Sequence, residues 1–415
     1  MNSSGSTSIV RSFIIIFLAP LLLSCQVFAR FEEPSTLTAS NILKKELLSS
    51  EYHTVEEVVK NDGFVNHYSV RTSHQTFNVI TTSSLAILVL ELKAIATMQK
   101  IKTDDTAYES LKQSGKNTVE GVKNLFQDPE KTFTNAATGI QGLFNRAKGT
   151  VGKRKITGAE DSRVEQLIGL TKSKGEIATQ FGVNMYSRNP ILQQELDRLA
   201  RADYLGGLGV GVASSFVGGV GGIVLTTSGT ARLLNEAINT TPASELWLQN
   251  KKILLAITSD EDTVELFLNN PVFSPALQTL LANALKTMEG VENRELFIKV
   301  ALQASTEEMA KIITEIAIMT AGYHQRIMPL AELSPLARLT LARKKDGSVI
   351  VLLPSDHIIW SEKVADAIDD IKNNNVSTTC ELWTFGDFSL QATEMLKERG
   401  WKLYPKATTK LLKNE

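Results

Sequence analysis

The chain has 415 residues, 44 of them Lys or Arg and 45 Asp or Glu, for a formal charge of −1 at pH 7. That balance excludes the basic excess with which proteins hold a phosphate backbone, so no nucleic-acid partner is expected, and a hydrophobic content of 43% excludes a disordered chain. The two cysteines exclude a disulfide framework, and a chain of this length can bury enough apolar surface to do without one.

The first element is an export signal. Arg11 is its only early charge, and residues 13–23 form an apolar run of eleven residues. A helix needs about 20 residues to cross a bilayer, whereas this length suits the hydrophobic region of a cleaved signal peptide. Val27 and Ala29 stand three and one residues before a cut that leaves Arg30 first, so residues 1–29 are expected to be removed. Leu22-Leu23-Ser24-Cys25 offers a second outcome, because it has the pattern of a bacterial lipobox and makes Cys25 a candidate for lipidation. An uncleaved anchor is the third outcome, and each of them places the protein in the cell envelope of a Gram-negative-type bacterium, in the periplasm or on the periplasmic face of a membrane.

Residues 30–105 read as an α+β domain. Leu43, Leu47, Val55 and Val59 recur at helical spacing and predict a helix over 38–59. Asn61-Asp62-Gly63 is a breaker. Residues 65–71 and 76–81 alternate as the two strands of a hairpin. Ser84 then caps a helix to about 102, with Leu85, Leu88, Leu92, Ile95 and Met98 as its apolar stripe. Residues 106–160 hold an amphipathic pair of helices over 118–148, in which Gly121-Val122-x-x-Leu125-Phe126 recurs as Gly139-Ile140-x-x-Leu143-Phe144 and Pro129 intervenes. Arg146, Lys148, Lys153, Arg154 and Lys155 follow. Such a pair can lie on an anionic lipid surface or pack as ordinary globular helices.

A helical domain is expected over 161–330. Its unusual part is 204–231, which carries nine glycines and no charged side chain. Gly207, Gly211, Ser215 and Gly219 fall at every fourth position, with Gly218 and Gly222 beside them. On a helix this glycine zipper is a flat ridge that admits a second backbone. Each glycine costs a helix in water about 1 kcal/mol relative to alanine, so the segment is expected either to insert in a membrane or to be a buried helix pair. Arg198 and Arg201 before it and Arg232 after it give no orientation. Residues 242–322 are helical by periodicity.

Residues 331–415 change character. The order strand, strand, helix, strand, helix, strand predicts a small α/β domain, with a hairpin turn at Asp346-Gly347. The fold class is therefore mostly α, with a small N-terminal β-hairpin and a C-terminal α/β domain, a multi-domain α+β chain.

Two constellations are candidates for chemistry. Asp356 and His357 follow a strand end, and Asp387 follows the next strand on the same edge, where open α/β sheets tend to bind ligands. The alternative is that Ser355 or Asp356 caps one helix and Ser389 the next. His53, Asp62 and His67 have the ligand chemistry of a zinc site, but their spacing matches no zinc pattern; the alternative is a hydrogen-bonded turn. No cofactor motif is found. Cys380 lies in an apolar strand, where a thiol is inert, and Trp247, Trp360, Trp383 and Trp401 suit core packing.

Asn61-Asp62-Gly63-x-x-Asn66-His67-Tyr68, the stretch Asn124 to Pro129, Tyr186-Ser187-x-Asn189-Pro190-x-Leu192-Gln193, Glu381-Leu382-Trp383 and Gly400-Trp401 together resemble a set of uncharacterised exported proteins of Gram-negative bacteria. The resemblance covers most of the chain after the signal and implies an exported protein without carrying over a catalytic residue. The expected function is a non-enzymatic envelope protein that associates with a membrane or an envelope partner through the glycine-rich segment and the amphipathic helices. The alternative is a periplasmic hydrolase or small-ligand binder working at Asp356, His357 and Asp387.

Overall fold

The first 31 residues and residues 32–415 are two units, and every element described belongs to the second. The computed structural model describes residues 31–101, 158–204, 237–336, 339–374 and 379–412, with the side chains of 158–168 and 339 left aside. Cys25, the helices expected over 118–148 and the glycine ridge from Gly207 to Gly222 lie outside the described residues. The class is mixed α+β, with several sheets.

The N-terminal part is a five-stranded antiparallel sheet and not a lone hairpin. Its strands are β1 (Thr36–Thr38), β2 (Thr54–Val55), β3 (Val58–Asn61), β4 (Asn66–Arg71) and β5 (Thr76–Ile80). The β4–β5 hairpin is as expected, and the Thr72 hydroxyl closes its turn by donating to the Gln75 carbonyl at 2.7 Å. The helix expected over 38–59 is corrected: that stretch holds β1, the single turns Ala39–Ile42 and Lys45–Leu48, then β2 and β3. A spacing of four satisfies both a helix and the two-residue period of a strand. Val55 and Val59 accordingly point inward from strands.

Thr82–Gln99 is an 18-residue helix that starts three residues before the expected point, with Thr81 and not Ser84 as its cap. It is long and apolar enough to cross a membrane by composition alone, yet 67% of it is buried inside the protein. A helix apolar on every side fits such an enclosed position. One core joins Val59, Tyr68, Leu85, Ile95 and Met98 to Ile177, Phe181, Leu192 and Leu196. The last four come from the helix Gly158–Phe181 and from Pro190–Tyr204.

A second core joins the helices Ala243–Leu255, Glu261–Leu268, Pro275–Thr287, Leu296–Ala301 and Glu307–Arg326 to the C-terminal sheet. The segment expected as one helical domain, 161–330, is thus shared between two cores. Local starts follow the sequence: Asp260, Ser274 and Thr306 each accept a first-turn N–H of their helix.

The C-terminal sheet contains β6 (Leu330–Leu336), β7 (Leu339–Lys344), β8 (Val349–Leu353), β10 (Cys380–Thr384) and β12 (Trp401–Tyr404), in the order β12-β10-β8-β7-β6. β8, β10 and β12 are parallel; β6, β7 and β8 are antiparallel. Gly347 takes the expected turn with φ 82°, a backbone region that favours glycine. β6 and the closing helix Thr408–Leu412 were absent from the expected order. Ser389 caps Leu390–Glu398 as expected, but the cap of Glu362–Asn373 is Ser361 and neither Ser355 nor Asp356. The chain runs on for five residues past Asp356 before its helix begins, pairing β9 (His357–Ile358) with β11 (Asp387–Phe388) on the way.

Candidate functional site

The strand-end residues do gather at one edge of the C-terminal sheet. His357 and Asp387 are register partners in the β9–β11 pair, and the Asp387 N–H donates to the Asp356 carbonyl at 3.1 Å. Their side chains have separate tasks. The Asp387 carboxylate lies 3.0 Å from Lys406 Nζ, and both groups are half-exposed. His357 is held below the ordinary imidazole value by burial, against the pull of Asp387 and Glu32.

Asp356 turns to the other sheet. One carboxylate oxygen accepts the Asn66 N–H at 2.9 Å and the other accepts the Thr82 N–H at 2.9 Å. It therefore ties the start of β4 and the first turn of the helix Thr82–Gln99 to the end of β8. An anion at a helix N-terminus is favoured by the unpaired N–H groups and the helix dipole. Burial nevertheless dominates and pushes the carboxyl up to about 6, against the pull of the Asn66 and Thr82 N–H groups.

Backbone bonds run beside this tie. The Asp356 N–H donates to the Phe64 carbonyl at 3.0 Å, and the Ile359 N–H to the Gly63 carbonyl at 3.1 Å. Asn61 Nδ2 donates to Asn66 Oδ1 at 2.9 Å and to the His357 carbonyl at 3.2 Å. Asn66 Nδ2 donates to the Tyr68 hydroxyl at 3.0 Å, and that hydroxyl bonds Thr82 Oγ1 at 2.7 Å. The turn-forming motif Asn61-Asp62-Gly63-x-x-Asn66-His67-Tyr68 is thus the polar half of a seam.

The other half is the helix start. Thr81 has φ 76° and ψ 146°, a region nearly reserved for glycine that costs a branched residue about 1–3 kcal/mol. Its N–H is bonded to the Asn66 carbonyl at 3.0 Å, and its hydroxyl accepts the Ser84 N–H at 3.2 Å. Next to it the Ser83 hydroxyl donates to Glu315 Oε1 at 2.8 Å. Glu315 is buried in the middle of Glu307–Arg326. Desolvation pushes its carboxyl up to about 7, the Asp356 charge adding to this and the Ser83 hydroxyl opposing it. Thr81 and Ser83 are each 3% exposed, so this hydroxyl and carboxyl pair meets no substrate from solvent.

A third buried carboxylate, Glu91, accepts from Ser187 Oγ at 2.6 Å and Asn189 Nδ2 at 3.0 Å, which uses the Tyr186-Ser187-x-Asn189 motif. A fourth tie comes from Glu32, whose carboxylate accepts from the Trp360 N–H and the Ser389 hydroxyl, each at 2.5 Å.

The three residues weighed as metal ligands are not brought together as a set. The His67 ring meets Asp62 Oδ2 at 3.1 Å. Both ring nitrogens of His53 are occupied, one by the Leu47 carbonyl at 2.9 Å and the other by the Ser50 hydroxyl at 2.8 Å. Among the described residues no group of three His, Cys, Asp or Glu is placed to hold a metal. An open, polar surface hollow lies beside His53, lined by Glu51, Tyr52, Arg71 and neighbouring Ser and Thr side chains.

Sequence reasoning missed Glu315, Glu91 and Glu32 as seam residues. For Glu315 and Glu91 the available signal was an isolated acid inside an apolar helical run, Ile312 to Thr320 and Leu85 to Ala96. A charge so placed is rarely buried without partners. No family model, curated protein or solved structure matches the chain.

Proposed function

We propose that the chain is an exported, non-enzymatic protein of the cell envelope of a Gram-negative-type bacterium. It associates with a membrane or an envelope partner through the glycine-rich segment 204–231, with the amphipathic stretch 118–148 as a second contact. The observation that carries this reading is the charge-free run of 204–231, which in the sequence follows the buried residues of one core and precedes those of the other. Leu192, Leu196 and Leu199 before it belong to one core, and Ile238 and Leu246 after it to the other. Its glycines are poor material for a helix in water but suit close helix packing in lipid. The occupied Asp356 carboxylate also supports a non-enzymatic reading, because the acid at the strand-end edge already holds two backbone N–H groups.

Fractionation of the tagged mature protein tests the reading. The expected result is recovery with membranes that survives a carbonate wash. A detergent-free monomer confined to the soluble periplasm, with no lipid binding, overturns it. Palmitate labelling that disappears in Cys25→Ser separates a lipid anchor from cleavage after Ala29. The pairing of His357 with Asp387 favours a second reading, a small-ligand binder or hydrolase at that edge. His357→Ala and Asp387→Ala variants that alter stability alone, and no ligand-induced thermal shift, remove it.

A further inference from the structure

Buried acids meet from two directions at the start of the helix Thr82–Gln99. Asp356 arrives from the end of β8 and takes the Thr82 N–H. Glu315 arrives from Glu307–Arg326 and takes the Ser83 hydroxyl. Among the described residues neither acid has a basic side chain as a hydrogen-bond partner. Asp356 faces Asp62, Glu315 and Tyr68. Glu315 faces Asp356 and, more remotely, Lys311 of its own helix. Lys311 also attracts Glu91 of the helix Thr82–Gln99. The helices packed on Glu307–Arg326 carry Lys286, Lys299 and Lys410. Lys286 is exposed, Lys299 is drawn to Asp260, and Lys410 lies over the Tyr404 ring. β8 carries no charged side chain.

The hydrogen bonds around Glu315 run through hydroxyls. Ser83 Oγ is 3.0 Å from Thr81 Oγ1, and Thr81 Oγ1 is 3.2 Å from Ser84 Oγ. A hydroxyl donates one hydrogen and accepts on its lone pairs, and its hydrogen rotates to suit its neighbours. With Glu315 ionised, Ser83 donates to it and accepts from Thr81. With Glu315 protonated, the acid donates to Ser83, Ser83 donates to Thr81, and Thr81 donates to Ser84. In both states Thr81 keeps a lone pair for the Ser84 N–H that it caps. The bonds from Glu315 through Ser83 to Thr81 keep a donor either way, and only the Thr81 to Ser84 hydroxyl bond gives up its hydrogen when Glu315 ionises. The main change on ionisation is the charge: two like charges then share one buried seam, which is unfavourable in a low-dielectric site.

We propose that Glu315 and Asp356 form a proton-sensitive clasp between the two sheets, in which the hydroxyls of Ser83 and Thr81 let Glu315 gain or lose its proton while Asp356 holds the helix start. The clasp loosens when Glu315 ionises beside Asp356. The raised positions of both carboxyls agree with this arrangement. The sign follows from linkage. A carboxyl whose folded value lies above its unfolded value contributes stability at low pH that is lost as pH rises. For Glu315 the loss runs from its ordinary 4.5 to about 7.

The test is the melting temperature of the purified mature protein, wild type and Glu315→Gln, at intervals from pH 5 to 8. Burial holds His53, His324 and His357 down, which acts with opposite sign, and Asp356 acts with the same sign, so the quantity read is the difference between the two proteins at each pH. The expected difference, variant minus wild type, rises with pH and levels off near neutrality. A difference that stays constant across the range overturns the clasp. Ser83→Ala keeps the acid and removes one donor to its ionised form. Its own difference from wild type is expected to become more negative as pH passes neutrality, because its acid ionises later, and this comparison serves where Glu315→Gln does not fold; a difference that does not change there overturns the hydroxyl connection. Measured against the same Glu315→Gln replacement, Asp356→Asn is expected to move the levelling point to lower pH; no movement there removes Asp356 from the clasp.

Discussion

Gly386→Ala is the sharpest perturbation of the seam. A Cβ on Gly386 would stand 1.8 Å from the Asp356 carbonyl oxygen, 2.3 Å from its carbon and 2.7 Å from its Cα. All three obstacles are backbone, so no rotamer change relieves them. The β9 and β11 segments must part by more than an ångström. That motion breaks the bonds from the Gly386 N–H to the Ser355 carbonyl at 2.8 Å and from the Asp387 N–H to the Asp356 carbonyl at 3.1 Å. It also pulls the Asp356 carboxylate away from Asn66 and Thr82.

Backbone bonds contribute about 0.5–1.5 kcal/mol each and bonds to a charged acceptor about 1.5–3 kcal/mol each. Complete loss of the four amounts to roughly 4–9 kcal/mol. Water entering the opened seam recovers part, which leaves an expected cost of about 3–5 kcal/mol out of a typical total of about 5–15 kcal/mol. Equilibrium urea unfolding measures the cost, and amide exchange locates it through lost protection at Asn66 and Thr82. Gly290→Ala is the control: Gly290 has φ 84° and open space around the added carbon, so only the left-handed backbone penalty of about 1–2 kcal/mol applies. If Gly386→Ala unfolds within about 1 kcal/mol of wild type, or loses stability without losing protection at Thr82, the close approach does not hold the sheets together.

Other positions give smaller, separable effects. Glu32→Ala removes the acceptor of the Trp360 N–H and the Ser389 hydroxyl; a loss of about 2–4 kcal/mol in urea unfolding is expected, and an unchanged midpoint contradicts the staple. Thr81→Val keeps the branched shape at φ 76° and loses the cap, for an expected cost of about 1–2 kcal/mol. Thr81→Gly loses the same cap but releases about 1–3 kcal/mol of backbone strain, so it is expected to be the more stable of the two; the reverse order shows that Thr81 is unstrained. His53 is held below its ordinary value of 6.5 by burial. The folded protein keeps this ring neutral while the unfolded chain takes up a proton, so stability is lost as pH falls below about 6.5. His53→Gln is expected to flatten that acid limb in a thermal titration, and an unaltered limb excludes His53 as its source.

What could be read from the sequence was local. The β4–β5 hairpin, the Asp346-Gly347 turn and the alternation of strands and helices after 339 each depend on residues within a few positions of one another. Turn chemistry and periodicity report such residues directly. The errors arose where one pattern fits two periods. Leu43, Leu47, Val55 and Val59 repeat in fours, and both a helix and a strand place such residues on one face. Asp356 was legible as an acid at a strand end but not as a tie, because its partners Asn66 and Thr82 lie 290 and 274 residues away. Ser389 was legible as a cap because a cap lies three residues from its partner, Ala392. The role of Glu32 was hidden by the separation of 328 residues between it and Trp360.

The long-range acids have one physical role in common. Two apolar cores supply most of the burial, and apolar packing is non-directional and tolerates sliding. Hydrogen bonds to a buried carboxylate do not tolerate it, because a donor moved by an ångström leaves a charge unpaired in a low-dielectric setting. Glu32 fixes the segment before β1 to the Trp360 and Ser389 end of the C-terminal sheet. Asp356 fixes that sheet to β4 and the helix Thr82–Gln99. Glu315 fixes the same helix to Glu307–Arg326, and Glu91 fixes its middle to the loop at Ser187 and Asn189. The helix Thr82–Gln99 is therefore held at its start by Asp356 and Glu315 and at its middle through Glu91. That explains how a helix apolar enough for a bilayer is kept inside the protein instead. Its burial is set by apolar area, and its position along its axis by three acids that cannot slide.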